Sequence, residues 1–287
     1  MGNKRRDGER IMGLDGFHSI NTYVMPKRTE AEVSITENFD VTALNEFLKK
    51  YNEEHGTNIK LFHAICTAMA RTIYHRPKMN IFIAGRRYYQ RNEITFSFVV
   101  KRTFDDHSEE SLMFMKAEPD MNLESISKMI LGDVNKVRNE PIENNDIDKL
   151  MATVGKLPRP LLTALFKAVE IMEYHGVVPA GLTNGDPNYS TMLLSNLGSI
   201  GSSSCYHHLS NYGTCSLMGT IGKMQDELKL KADGSVENRT VVDMTFTIDE
   251  RIADGFYFAK SLRIVKYLFE HPECLLEQIS EPVPVDL

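Results

Sequence analysis

Apolar positions recur at helical spacing in five stretches of the chain. Asp40 reads as an N-cap for Val41–Tyr51, a helix that ends before His55-Gly56. Asn58 opens a second, in which Phe62, Cys66, Met69 and Ile73 form one stripe that stops near Pro77. Leu123, Ile126, Ile130, Val134 and Val137 mark a third helix, and Leu162, Leu165, Val169 and Met172 a fourth that Gly176 and Pro179 end. A fifth runs Gly255–Phe269 with Phe258, Leu262, Val265 and Phe269 inward. Period-two alternation predicts strands at Ile94–Val100, Thr191–Leu194, Thr214–Ile221 and Val241–Ile248, with a hairpin turn at Asp233-Gly234. Asn139–Asp148, rich in Asn, Glu and Asp, reads as a surface loop.

Helices therefore dominate the first 180 residues and strands the next 70. No βαβ alternation runs through the chain, and no GxGxxG follows a strand, so a doubly wound nucleotide-binding sheet is not expected. The pattern predicts an α/β chain in the two-layer α+β sense, a mixed sheet flanked by helices. No linker divides it. A polar tail and lead-in over 1–30 precedes a single domain over 31–287.

Composition narrows the function classes. With 42% hydrophobic and 25% charged residues the chain has material for a core, and its net charge of −6 argues against a nucleic-acid or anionic-membrane surface. The one basic cluster, Lys4, Arg5 and Arg6, reads as a solvated terminus, and Arg6 stands where a myristoylation signal needs Ser or Thr. There is no signal-peptide h-region and no apolar run long enough to span a bilayer. Cys66, Cys205, Cys215 and Cys274 form no CxxC pair and read as reduced thiols, so a cytoplasmic location is expected.

Two segments carry candidate chemistry. In Val241–Ile248, Val242, Met244, Phe246 and Ile248 share one face and Asp243, Thr245 and Thr247 the other. Continuing that period puts Glu250 on the apolar side, where an unpaired carboxylate is costly. If the strand instead stops at Ile248, then Asp249, Glu250 and Arg251 are solvated turn charges. Periodicity leaves both readings open. Asp254-Gly255 then opens the last helix, with Asp254 as a cap and Gly255 allowing tight backbone geometry. Upstream, Ser195 ends a strand next to Gly198 and Gly201, a position from which its hydroxyl can face a developing oxyanion, although Ser/Asn/Gly clusters are usually turns.

Together these segments resemble a family. Asp249-Glu250-Arg251-Ile252-Ala253-Asp254-Gly255, between a strand and an amphipathic helix, is similar to the DHRxxDG signature of the acyltransferase (E2) catalytic domain of 2-oxoacid dehydrogenase complexes, whose core the chloramphenicol acetyltransferases share as HxxxDG. Ser195-Asn196-Leu197-Gly198 resembles that family's SNLG segment, and Asp40-Val-Thr-Ala-Leu44, Lys78-Met-Asn80 and Ile94–Lys101 add weaker matches. The resemblance implies a chloramphenicol-acetyltransferase-like fold and a homotrimer with its active site in a channel between subunits. Coenzyme A would enter as the acyl-CoA substrate, with a small-molecule acyl acceptor on the other side and no metal. By the same resemblance Ser195 is the oxyanion donor, Asp254 the anchor of the motif loop through an arginine (Arg28 and Arg10 are the candidates), and Gly255 the start of the helix. Arg251, Asn196 and Gly198 complete the motifs.

The departure is at the base, where Glu250 replaces the family's histidine. A thiol near ~8.5 and a glutamate near ~4.3 differ by about 4 pKa units, roughly 6 kcal/mol of unfavourable proton transfer, against roughly 3 kcal/mol for histidine. Burial that raised the carboxyl to about 6–7 would close that gap. His207 and His208, in Cys205-Tyr-His-His-Leu209, are the alternative imidazoles or, with Cys205, metal ligands; the favoured reading is a pair of loop histidines. His63 reads as a satisfied residue flanking its helix stripe, and His75, His175 and His271 as helix-terminal cations. No lipoyl or peripheral-subunit-binding segment precedes the catalytic region, which points to a free-standing trimer. The expected function is CoA-dependent acyl transfer. The alternatives are a trimeric binding or regulatory protein of the same fold that has lost catalysis, and an acyl-thioester hydrolase using Glu250.

Overall fold

Hydrogen-bond laddering, rather than hydrophobicity, sets where the strands end. Leu217–Ile221 of the expected strand Thr214–Ile221, and the expected strand Val241–Ile248, are the inner halves of β8 (Leu217–Leu230) and β9 (Val236–Asp249), a hairpin closed at Asp233 and Gly234; residues 214–216 precede β8. Gly234 has φ +82°, which the turn requires, and Asp233 accepts the Ser235 N–H at 2.9 Å. Once the turn fixes the register, pairing continues through polar residues that no alternation marks. A β-bulge falls between Ile221 and Met224.

The computed structural model describes residues 5–101, 110–139 and 153–287. Lys4 and residues 140–148 of the expected loop lie outside them, and the side chain of Val137 is not described. The other strands are β1 (Gly8–Arg10), β2 (Glu32–Asp40), β3 (Ile81–Ala84), β4 (Arg87–Arg91), β5 (Ile94–Lys101), β6 (Glu110–Ala117) and β7 (Met192–Asn196). The helices are α1 (Gly16–Val24), α2 (Thr42–His55), α3 (Leu61–His75), α4 (Leu123–Asn139), α5 (Arg159–His175) and α6 (Gly255–Glu270). A six-stranded sheet has the order β2-β9-β8-β7-β5-β6, parallel where β7 meets β5 and β8 and antiparallel elsewhere. A small sheet, β1-β4-β3, stands apart from it. This is the mixed α/β architecture the pattern predicts.

The two faces of the large sheet differ. Phe39, Phe96, Leu194, Met244 and Phe246 face a core shared with α2, α3, α4 and α6. On the other face hydroxyls pair across strands, Ser34 with Thr247 at 3.2 Å and Thr36 with Thr245 at 3.0 Å, and Thr245 reaches Ser204 at 3.0 Å.

Several boundaries move. Val41, not Asp40, occupies the N-cap position of α2, and the Asp40 carboxylate instead accepts the Thr42 N–H at 3.0 Å. Lys60 rather than Asn58 precedes α3. The β3–β4 hairpin, unread in the sequence, turns at Gly85 and Arg86 with φ +54° and +60°, a left-handed pair that joins the runs Ile-Phe-Ile and Tyr-Tyr. Arg5, expected in a solvated terminus, is instead built into the fold, where β1 pairs with β4 and α1 follows. Arg5 is nearly buried, 2.8 Å from both Asp7 and Glu173, with Phe82 and Tyr89 beneath its guanidinium. Arg6 donates to Asn184 and Thr183. A guanidinium loses less on desolvation than an ammonium and is the cation most often found in such settings.

Candidate functional site

The motif turn is built around Asp249. Its carboxylate is 0% exposed and accepts two side-chain bonds from Arg251, both at 2.7 Å, together with the Arg251 N–H at 3.2 Å. Arg28 Nε lies 3.7 Å away, an ion pair beyond hydrogen-bond reach. Arg28 also donates to the carbonyls of Ser210 and Gly213, the latter at 3.1 Å, while Arg251 donates to that of Met25 at 2.7 Å. Burial pulls the Arg28 guanidinium below its ordinary value, and the charge of Asp249 opposes that pull. One carboxylate thus ties the motif turn to the segment before β2 and to the loop after β7.

That arrangement matches neither reading of the strand end: β9 continues to Asp249, and Asp249 and Arg251 are buried rather than solvated. Alternation stops at Asp249, and Glu250 sits in a turn with an exposed side chain, its N–H donated to Ala31 O at 2.9 Å. The carboxylate turned inward in the single chain is Asp249. The arginine expected on Asp254 goes to Asp249 as well. Asp254 is exposed and caps α6 by accepting the Tyr257 N–H at 2.8 Å, as read from the sequence. Gly255 begins α6 with open space where a Cβ would stand, so among the described residues nothing requires a glycine there. Sequence reasoning missed the Asp249–Arg251 pair. Residues i and i+2 share one side of an extended chain, and that spacing is the signal that could have found it.

Ser195 is half-buried near the end of β7, and the rest of its motif turns sharply beside it. Asn196 accepts the Ser199 N–H at 3.3 Å, and a Cβ on Gly198 would lie 2.4 Å from Gly222 O at the β8 bulge. Only glycine permits that approach, which gives the last residue of the SNLG segment a physical role. Ser195 and Glu250 are not brought together within one chain. Ser195 pairs with Thr220 of β8, which pairs with Thr245 of β9, and Glu250 lies five residues further on. Two strand spacings of about 4.8 Å and five rises of about 3.3 Å separate the two by roughly 19 Å.

His207 and His208 are exposed and stacked, with ring centroids 4.8 Å apart. Cys205 is exposed, and all four cysteines are free. Among the described residues no group of three or more His, Cys, Asp or Glu is placed to hold a metal, and no described helix is long and apolar enough to cross a membrane.

His63 is buried, and its Nδ1 accepts from Ser127 Oγ at 2.8 Å and Lys60 N–H at 3.2 Å, which leaves the proton on Nε2. Burial, and secondarily the charge of Lys60, hold its pKa down to about 4. An unfolded histidine titrates near ~6.5, so between about 6.5 and about 4 the unfolded chain binds a proton that the folded chain refuses. Stability from this group is intact above that window and falls by up to ~3 kcal/mol as pH drops through it. Urea midpoints at pH 7.5 and 4.5 should therefore diverge more in the wild type than in His63→Gln. Equal differences in the two proteins would contradict this role.

The mixed sheet with helices on one face is similar in fold to solved acetyltransferases. A structure of a probable dihydrolipoamide acetyltransferase from Listeria monocytogenes is similar with TM-score 0.59 and 16% identity, over 92% of this chain and 95% of that one. A dihydrolipoamide acetyltransferase of Azotobacter vinelandii, investigated for a serine, a histidine and an asparagine in its catalytic mechanism, gives 0.59 and 14% over 93% and 95%. A chloramphenicol acetyltransferase gives 0.53 and 12% over 88% and 94%. Residues 180–277 match the family of 2-oxoacid dehydrogenases acyltransferase (catalytic domain), a stretch that contains both motifs. No curated protein matches the sequence.

Proposed function

We propose that the protein is a CoA-dependent acyltransferase-type homotrimer in which Ser195 of one copy faces Glu250 of the next. The observation that carries this reading is the separation of roughly 19 Å between the two within one chain, two strands and five residues apart. Groups so far apart act on one carbonyl only if different copies supply them. The Azotobacter vinelandii relative, with its serine and its histidine and asparagine four residues apart, supports equating those positions with Ser195, Glu250 and Asp254. In this reading the Ser195 hydroxyl donates to the oxyanion of the tetrahedral intermediate. Glu250 takes the acceptor's proton, and its carboxylate gains the desolvation a base needs when the neighbouring copy covers it.

Acetyl-CoA turnover against a panel of thiols, amines and alcohols tests the proposal. Ser195→Ala should lower kcat by about 10²- to 10³-fold, the usual cost of one oxyanion donor. Turnover that is unchanged in both Ser195→Ala and Glu250→Gln, or a protein that sediments as a monomer, would refute the site. The exposure of Glu250 in the single chain favours a second reading, a trimeric binding or regulatory protein of this fold without catalysis. That reading requires no turnover in the wild type and acetyl transfer gained on Glu250→His.

A further inference from the structure

A cavity of about 610 Å³ lies between α5, the β3–β4 turn and residues 22–28, bordered by Arg28 and Arg251 of the motif cluster. We propose that it binds a small organic anion, whose carboxylate or phosphate group pairs with Lys27 and Arg86 and whose flat apolar body lies against Phe166, Tyr174 and Tyr212. The inference does not depend on acyl transfer.

The charges around the cavity do not cancel. Lys27, Arg28, Arg86 and Arg251 line it, against Glu170 and Glu173. Both carboxylates are met by cations from outside the lining, Glu173 by Arg5 at 2.8 Å and Glu170 by Lys167 at 3.5 Å. The Glu173 oxygens are also sealed, with almost no accessible surface. Arg5 is shared with Asp7, so that cluster keeps one negative charge. Arg28 and Arg251 share the single carboxylate of Asp249, so the knot keeps one positive charge. These remainders offset each other. The excess is therefore Lys27 and Arg86, both exposed and neither in an ion pair among the described residues. Two like charges beside a cleft with low-dielectric walls raise the local concentration of anions.

Arg86 holds its place at a conformational cost. It is the one non-glycine residue with positive φ among the described residues, at +60°, directly after Gly85. Side chains resist that left-handed region, and such outliers cluster at ligand clamps and active sites. Glycine would take the conformation freely but would bring no charge. Gly85 sets the turn against α5, where a Cβ would lie 2.1 Å from Tyr174 O. The Arg86 guanidinium rests over the Tyr23 ring, 4.5 Å from its centroid. Stacking occupies one face of the group and leaves the N–H edge, whose fork matches two oxygens of a carboxylate or phosphate.

The remaining wall is aromatic. Phe166 and Tyr189 each meet Tyr212 edge-on at 5.8 Å, and Phe166 and Tyr174 are half exposed, leaving ring surface uncovered. A cleft of this size, with aromatic walls and a few polar groups, is the usual form of a small-molecule site.

Titration calorimetry of the full chain with phenyl phosphate, phenylacetate, inorganic phosphate and 2-phenylethylamine tests this. Saturable one-to-one binding is expected for at least one of the two aromatic anions, and the tighter of them identifies the head group. Inorganic phosphate, which lacks the body, and the amine, which has the wrong charge, should each bind at least about tenfold more weakly. Arg86→Gly takes the left-handed conformation without strain, so it keeps the fold while removing the charge. It should weaken anion binding by about tenfold or more, the worth of one charge-assisted bond. Lys27→Gln should weaken it by about two- to fivefold, as for an exposed ion pair. No saturable binding of either aromatic anion by the folded wild type, amine or inorganic phosphate binding as tightly as the aromatic anion, or unchanged affinity in Arg86→Gly would each overturn the proposal.

Discussion

Asp249→Ala is expected to cost about 3–5 kcal/mol of stability, the penalty for removing one partner of a buried ion pair. The size follows from what remains. Asp249 is wholly buried, and its loss leaves the Arg251 and Arg28 guanidiniums, 2% and 5% exposed, repelling each other without a counter-charge. Backbone carbonyls satisfy some of their N–H groups, but no carbonyl supplies a full negative charge. Urea unfolding measures the loss, and Asp249→Ala combined with Arg28→Met isolates its origin. The double variant should be less destabilised than the sum of the two single ones, because it removes a stranded charge. Strict additivity would show that Arg28 and Asp249 do not interact.

Arg71→Met should be nearly as damaging, at about 3 kcal/mol or more, given several acceptors that lose charge-assisted bonds in a buried setting. Arg71 sits in α3, 1% exposed, and gathers the C-terminal segment: Nε donates to Glu281 O at 3.1 Å, and Nη2 to Pro282 O at 3.1 Å and to the Glu277 carboxylate at 2.8 Å. Nη1 donates to Cys274 O. The segment Glu281-Pro-Val-Pro284 is poor in N–H groups and cannot ladder onto a sheet, so its carbonyls need an outside donor. Methionine keeps the packing and removes the donors. Limited proteolysis should cut near residues 277–284 in the variant before the rest of the fold, and an unchanged cleavage pattern would contradict the clasp.

Much of the frame was legible because it rests on periodicity. The stripe Phe62, Cys66, Met69 and Ile73 lies on α3, and the face containing Val242, Met244, Phe246 and Ile248 packs into the core as alternation requires. The order of the serine and acidic motifs also pointed to the fold. Less was legible at the ends of elements. Alternation assigns a side only while the ladder lasts, and the chain leaves it at Asp249, which moves the buried carboxylate by one residue. The partners of Arg5, Arg28 and Arg71 lie 168, 182 and 210 positions away, beyond any local pattern. Arg71 carried one signal, a lone charge in the otherwise apolar run Ala68-Met-Ala-Arg-Thr-Ile73, which has to be paired if the helix is buried on all sides.

The cluster around Asp249 joins segments near residues 25–28, 210–213 and 249–251. Contacts of such long sequence separation close large loops and are expected to form late in folding, after the local helices and the β8–β9 hairpin. Interactions absent from the transition state leave the folding rate nearly untouched and appear almost wholly in the rate of opening. The knot of two guanidiniums and one carboxylate is thus expected to work as a latch, one whose loss speeds unfolding and leaves the rate of folding nearly unchanged.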